Sequence, residues 1–503
     1  MLEFPGGKAK LHYWLTLLSG LLESLFFTGL AFGWASLVFV LKGDGYFAGY
    51  CVNATRDNEH TVYIDCSGQD EHFSLIMCVA FIASTVMRFP VGFVFDRFGT
   101  TATRLLAISL YTTGTLFITL LKEEMSLLLY PAISCINVSG MILHTTNVQV
   151  GNLFHFYRST IITIYNGAFD SSAAVFLVIK LLHERGVSLF SSFLFLTSCS
   201  IILLLRTFLL MPRGHIPYPL PDTFTYGVSC SERRKEKKNE TKEMKKEDIM
   251  RNQSDQQAEE TKAGHESKQE EVASFRSCVL SWLFLWHLLW VLTMLFCQFI
   301  FLSNVNAMLT RLSNNDQNLV SHYTNAFAFT QLCSVLFAPV NGLILDRHKK
   351  RPIASGETRR EADLRSSCLS LFLTSLQCFL FCVCFTCPVL PLQYLTFVLQ
   401  VVNSSFFYGG HQAFISIAFP MSHFGKMSGL AMSLSALGLL LQVPILHFIQ
   451  HQLHGDPLYV NVAVTLVSLL AFIHPIHIRL YCRKLAKLRT NSKQEIDEDL
   501  DFF

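Results

Sequence analysis

The sequence predicts an all-α membrane protein of twelve transmembrane helices arranged as two pseudo-symmetric six-helix bundles. Three observations predict it. Of 503 residues, 51% are hydrophobic and only 15% charged, against about 25% charged in an ordinary soluble domain. The apolar residues fall into twelve blocks, each near the roughly 20 residues that a helix needs to cross a hydrocarbon core about 30 Å thick. Two stretches far apart in the chain, VGFVFDRFGTTATR (91–104) and VNGLILDRHKK (340–350), close an apolar run in nearly the same way. They fall at equivalent places, after the second and the eighth block, so the chain reads as a duplicated unit.

The blocks lie at about 13–41, 73–95, 104–121, 126–152, 160–182, 189–211, 278–303, 321–345, 366–386, 391–416, 427–449 and 459–480. Lipid offers no partner for backbone N–H and C=O groups, so each block must be a helix or a barrel strand, and a barrel would alternate apolar and polar residues. These blocks do not alternate. The first is too long for a cleaved signal peptide, contains Glu23 and has no small-residue cleavage site after it. Residues 1–213 are assigned to the first bundle, 214–276 to a linker, 277–482 to the second bundle and 483–503 to an acidic tail.

Orientation follows from the basic residues. Seven of them, Arg347, Lys349, Lys350, Arg351, Arg359, Arg360 and Arg365, crowd into 346–365. The bias predicts that this face, and with it both termini, is cytosolic. Gly43 to His72 then faces outward, carrying Cys51, Cys66 and the sequon Asn53-Ala54-Thr55. An oxidising, glycosylating compartment suits a disulfide and a glycan there. Ser231 to Arg276 holds twelve basic and twelve acidic residues, a composition that cannot offset the entropy of ordering. It is expected to be a flexible cytosolic linker with Asn239 and Asn252 unglycosylated. The run CFLFCVCFTC (378–387) is expected to be lipid-facing packing rather than a metal site, since no His or carboxylate accompanies it.

The repeated stretches supply a gating motif. Gly92 and Gly342 are expected to let a neighbouring helix approach. Asp96 and Asp346 oppose the dipole of their own helix and are expected to meet the N-terminus of another across the bundle interface. Gly92, Asp96, Arg97, Gly99 and Arg104 resemble the G-x-x-x-D-R-x-G-x-R-x-x-R signature of the major facilitator superfamily, with an echo at Gly342, Asp346 and Arg347; Thr101 stands where the signature has a basic residue. GLLESLFFTGLAFGW (20–34), STIITIYNGAFDSSAAVFL (159–177), RTFLLMPRGHIPYPLP (206–221), YTNAFAFTQ (323–331) and DPLYVNV (456–462) resemble solute carrier family 43, and within it the equilibrative carriers of purine nucleobases. That resemblance implies a sodium-independent, facilitative plasma-membrane carrier of adenine, guanine and hypoxanthine, with no cofactor, in which two halves rock about a central site lined by the first, fourth, seventh and tenth helices.

Ionisable side chains at membrane depth are costly and therefore functional candidates. Glu23 in the first block and Asp170 in the fifth stand out, since a buried carboxylate can accept hydrogen bonds from purine N–H groups. A flat heterocycle also wants stacking faces and matched amides. Phe27, one turn beyond Glu23, is a stacking candidate. The fourth block offers His144 and Asn147 on one helical face, the fifth Asn166, the seventh Trp290 and Gln298, and the tenth Asn403, Phe407 and His411. Each has a structural alternative in ordinary packing. Arg88 is expected to make a structural pair, with Glu23 among its possible partners.

Pro90, Pro339 and Pro444, with Gly29, Gly33, Gly409 and Gly410, offer bending points. No nucleophile triad, metal spacing or phosphate-cradling loop stands out, which argues against an enzyme, and nothing points to nucleic acid. The expected partners are the bilayer and a small-molecule substrate. A carrier of large neutral amino acids, or a non-transporting receptor or regulator (including of fatty-acid flux), stay open at this point.

Overall fold

The computed structural model describes residues 7–55, 62–154, 158–217, 220, 221, 224, 226, 274–347, 359–420, 423–453 and 456–500. Among these, nine helices are long and apolar enough to cross a membrane, and a bent pair, Leu11–Thr28 and Leu30–Gly43, makes another span with a 47° angle. Two more complete the twelve. Ser67–Thr119 is two helices joined at Gly99, whose φ of 78° is left-handed. Gln393–Ala418 is long enough, about 39 Å at 1.5 Å per residue, but its buried Gln400, Asn403, Ser404, Ser405 and His411 lower its hydropathy.

In chain order the spans are α1 (11–43), α2 (67–98), α3 (100–119), α4 (Glu123–Leu153), α5 (Thr160–His183), α6 (Leu189–Leu209), α7 (Trp282–Leu312), α8 (Gln317–Leu345), α9 (Glu361–Thr386), α10 (393–418), α11 (Phe424–His451) and α12 (Leu458–Lys487). The last helix runs on through the tail to Leu500. Pro90 and Pro339 lie inside helices.

The break in α1 is the feature that shapes the first bundle. After Glu23 the helix widens into a π turn, Ser24–Thr28, and tightens again at Leu30–Gly33. Glycine makes room for it: a Cβ at Gly29 would stand 1.8 Å from the Phe169 carbonyl of α5, and one at Gly140 of α4 would stand 1.8 Å from the Thr28 carbonyl. No larger residue fits either place.

One departure from the all-α expectation is a small antiparallel hairpin, β1 (Val52–Thr55) with β2 (Val62–Asp65), closed by a Cys51–Cys66 disulfide. Asn53 lies in β1 opposite Ile64; its side chain, like the linker from 227 to 273 with Asn239 and Asn252, lies outside the described residues. The expected linker begins with packed rather than free chain. Ile216 is buried, its N–H donates to Gln149 Oε1 at 3.0 Å, and the Tyr226 ring stacks 5.8 Å from Tyr13. Aromatic and aliphatic residues in 214–226 give this short piece the apolar surface that 231–276 lacks.

The bundles meet along α5–α8 and α2–α11. Ser171 Oγ donates to the Leu332 carbonyl (2.8 Å), Lys180 Nζ to Ser321 Oγ (2.7 Å) and Asn325 Oδ1 (2.8 Å), and the Phe89 N–H to Ser433 Oγ (3.0 Å). At the hairpin face they part around a cavity of about 860 Å³, walled by Phe39, Asp70, Glu71 and Ser74 from the first bundle and Ile300, Arg311 and Ile449 from the second.

Candidate functional site

Among the described residues, two buried polar clusters in the membrane interior contain a carboxylate, and they differ in how their hydrogen bonds close. The first surrounds Glu23, the last α-helical residue before the π turn. Its Oε2 receives Arg104 Nη2 at 2.5 Å and Arg206 Nη1 at 3.0 Å, and its Oε1 receives Asn147 Nδ2 at 3.0 Å. Asn147 Oδ1 in turn accepts from Arg206 Nη1 (2.8 Å) and Arg104 Nη1 (3.2 Å), while Arg104 Nε donates to Thr207 Oγ1 (2.8 Å). All of these groups belong to the first bundle. Paired guanidinium–carboxylate contacts of this kind are the strong class of hydrogen bond, and two cations offset one anion. Both Glu23 oxygens are therefore committed to protein donors.

The second cluster lies where the bundles meet. His144 of α4 joins its Nε2 to Asn166 Oδ1 of α5 at 2.8 Å, and its ring lies 4.5 Å from that of Phe169. One turn from Asn166, Asp170 accepts at Oδ2 from Ser334 Oγ of α8 (3.1 Å), which contacts Ser405 Oγ of α10 (2.6 Å). Phe169 stands edge-on to Tyr408 of α10 at 6.2 Å, and the Arg88 guanidinium of α2 lies 5.9 Å from the Tyr408 ring centre, within cation–π range. His144 Nδ1, Asn166 Nδ2, Asp170 Oδ1 and Arg88 Nε make no hydrogen bond to protein. Ser404 faces the Asp170 carboxylate without closing a well-aligned bond. Because Asn166 Oδ1 can only accept, His144 Nε2 carries the ring N–H and Nδ1 is left as an acceptor. Two donors (Asn166 Nδ2 and Arg88 Nε), two acceptors (Asp170 Oδ1 and His144 Nδ1) and aromatic faces thus stand in one cluster that spans both bundles.

The expected pairing of Arg88 with Glu23 does not form, because Arg104 and Arg206 occupy that carboxylate. Phe27 is core: its ring meets Tyr111 of α3 edge-on at 5.8 Å. Asn147 belongs to the Glu23 cluster. Of the second-bundle candidates, Phe407 packs directly against the boundary cluster. Phe407 lies 4.8 Å from Tyr408 and 5.4 Å from Trp290, whose Nε1 donates to Ser375 Oγ at 3.1 Å. Gln298 Nε2 donates to Asn403 Oδ1 (2.8 Å), leaving Gln298 Oε1 free of protein donors. His411 is the end of a histidine chain, 2.9 Å from His287, which is 3.1 Å from His474. Cys378 and Cys382 do not face lipid as expected but turn inward, where Cys297 of α7 joins them in a buried thiol trio, a neighbour that the 378–387 run by itself does not reveal.

In the gating motif, Asp96 meets the expected kind of partner: Gly425, in the first turn of α11, would place a Cβ 3.7 Å from its carboxylate. Gly342 permits close approach, with Thr163 Oγ1 3.0 Å from its would-be Cβ; Gly92 does not, since nothing lies within 4 Å, and it instead lines a gap beside Asp96, Arg97 and Lys426. Gly99 turns the chain from α2 to α3 against the Arg213 carbonyl. Arg104 lies in the Glu23 cluster, not at the bundle interface. Arg347 is exposed, and the side chain of Asp346 lies outside the described residues. Reasoning from sequence missed Arg206, Phe169 and Ser334. Arg206 carried a signal, being a charge inside an apolar run; the other two did not.

Twelve spans in two halves about a central polar cluster define a membrane transporter rather than an enzyme. The chain belongs to the major facilitator superfamily, whose family pattern matches residues 70–441. It is 46% identical to the Equilibrative nucleobase transporter 1 of Bos taurus, over 93% of this chain and 96% of that one. To the human Large neutral amino acids transporter small subunit 3 it is 27% identical, over 94% of each. A crystal structure of a POT family transporter in complex with 5-aminolevulinic acid superposes with a TM-score of 0.54 at 13% identity, covering 94% of this chain and 96% of that one, which speaks to the fold.

Proposed function

We propose that the protein is a sodium-independent, facilitative carrier of purine nucleobases such as adenine, guanine and hypoxanthine, working by alternating access in the plasma membrane with both termini cytosolic. The observation that carries the reading is the set of unpartnered buried groups at the bundle boundary, His144 Nδ1, Asn166 Nδ2, Asp170 Oδ1 and Arg88 Nε. A purine offers ring nitrogens or a carbonyl to the donors Asn166 Nδ2 and Arg88 Nε, N–H groups to the acceptors Asp170 Oδ1 and His144 Nδ1, and a face to Phe169 and Tyr408. Leaving such groups unmet costs about 1–3 kcal/mol each, so a ligand that meets several gains both affinity and discrimination.

Because Asn166 and Asp170 stand on one bundle and Ser334, Ser405 and Tyr408 on the other, a base held between them is released when either side opens. Glu23, Asn147, Arg104 and Arg206 serve as the brace that holds α1, α3, α4 and α6 in place, and Asp96 as the latch on α11. Phe407 backs Tyr408, with Trp290 behind it, and Gln298, Asn403 and His411 tie α10 to the neighbouring helices.

One observation favours a second reading: Arg88 and Asp170 could hold the carboxylate and ammonium of an amino acid. The aromatic faces and the 46% identity weigh for the base. Proteoliposomes containing the full chain, with no sodium or pH gradient, decide between them. Labelled adenine is expected to equilibrate, and unlabelled adenine but not leucine to compete. Competition by leucine alone would replace the reading.

A further inference from the structure

At the rim of the hairpin-face cavity, Glu71 of α2 faces His447 and His451 of α11. The two histidines are four residues apart on one helix face, with ring centres 4.1 Å apart. His447 Nδ1 lies 3.6 Å from Glu71 Oε1, and His451 Nε2 lies 3.7 Å from Glu71 Oε2. Both distances exceed the 2.7–3.2 Å of a hydrogen bond. One ligand atom from each of the three lies within 4.8 Å of the others, a spread that a small side-chain movement closes onto a shared cation, since zinc–ligand bonds of about 2.0–2.1 Å set tetrahedral ligand atoms roughly 3.4 Å apart. Two imidazoles and a carboxylate are a borderline-soft donor set that suits Zn²⁺ and leaves a fourth position for water. The nearby Asp70 is already paired with Lys42, and among the described residues Glu71 is the carboxylate that stands with the two histidines.

We propose that Glu71, His447 and His451 form a zinc-binding site that clamps α2 to α11 and arrests transport when occupied. The ligands come from different bundles, so the ion bridges a seam that must open in a rocking cycle; this step rests on the alternating-access reading above. Each histidine is more than half exposed, which gives the ion a path from solvent.

Two readouts on the full chain test it. Micromolar ZnCl₂ is expected to raise the thermal midpoint of the purified protein, reversibly with EDTA, and to block adenine flux when added on the hairpin side. His451→Ala and Glu71→Gln are each expected to raise the zinc needed at least about tenfold, with zinc-free flux unchanged; His447→Gln serves if one variant misfolds. An absent thermal response, or one equal in native and variant proteins, overturns the site. A zinc-dependent thermal shift without any effect on flux overturns the clamp. Should adenine flux itself be missing, the thermal readout still decides the site while the transport reading fails separately.

Discussion

The Glu23 cluster and the Asp170 cluster are both buried, both polar and both built on a carboxylate, yet only one of them is finished. Around Glu23 every carboxylate oxygen has a protein donor, and all donors sit in one bundle. Around Asp170 a carboxylate oxygen, an amide and an imidazole nitrogen remain open, and the contacts span both bundles. On the proposed reading, charge at membrane depth does not by itself mark a binding site. Completion of the hydrogen bonds, and whether the partners move relative to one another, separate a brace from a site.

The largest test of that contrast is Glu23→Ala. It strands two buried guanidiniums, so about 3–5 kcal/mol of stability should go, seen as a collapse of the folded fraction by size-exclusion and thermal unfolding. Normal folding with a selective loss of adenine binding would instead make Glu23 a substrate ligand. Next comes Asp170→Asn. Losing a charged acceptor should weaken adenine transport by about 1.5–3 kcal/mol, roughly 10- to 150-fold, while the thermal midpoint of the apo protein stays near native. Asn166→Ala should cost adenine about 1 kcal/mol, near fivefold in KM. Phe27→Leu should cost about 1 kcal/mol of stability and leave KM for adenine unchanged, because its ring faces Tyr111 rather than the boundary.

Much of the fold was legible because hydrocarbon imposes a single rule, that apolar runs of about 20 residues be helices. The runs at 73–95 and 104–121 correspond to α2 and α3, two helices that meet at the left-handed Gly99. The hairpin β1–β2 was not foreseen, since its strands are four residues each and carry no long pattern.

The site was legible in part. His144, Asn166 and Asp170 could be picked out as polar groups in apolar helices, and they do come together. The same reasoning singles out Glu23, but the sequence does not say that Arg104 and Arg206, 81 and 183 residues further on, fold onto its carboxylate. Ser334 and Ser405 close the cluster from the other bundle, and serine is too common in these helices to signal a role. Pairing across the seam is a property of three-dimensional packing, which periodicity along one helix does not encode.

The most direct measurement is the shift in thermal midpoint that adenine produces in purified native protein and in Asp170→Asn. The account predicts a concentration-dependent rise in the native protein that disappears in the variant while both melt at similar temperatures without ligand. An undiminished rise in Asp170→Asn would place the base elsewhere and contradict the account.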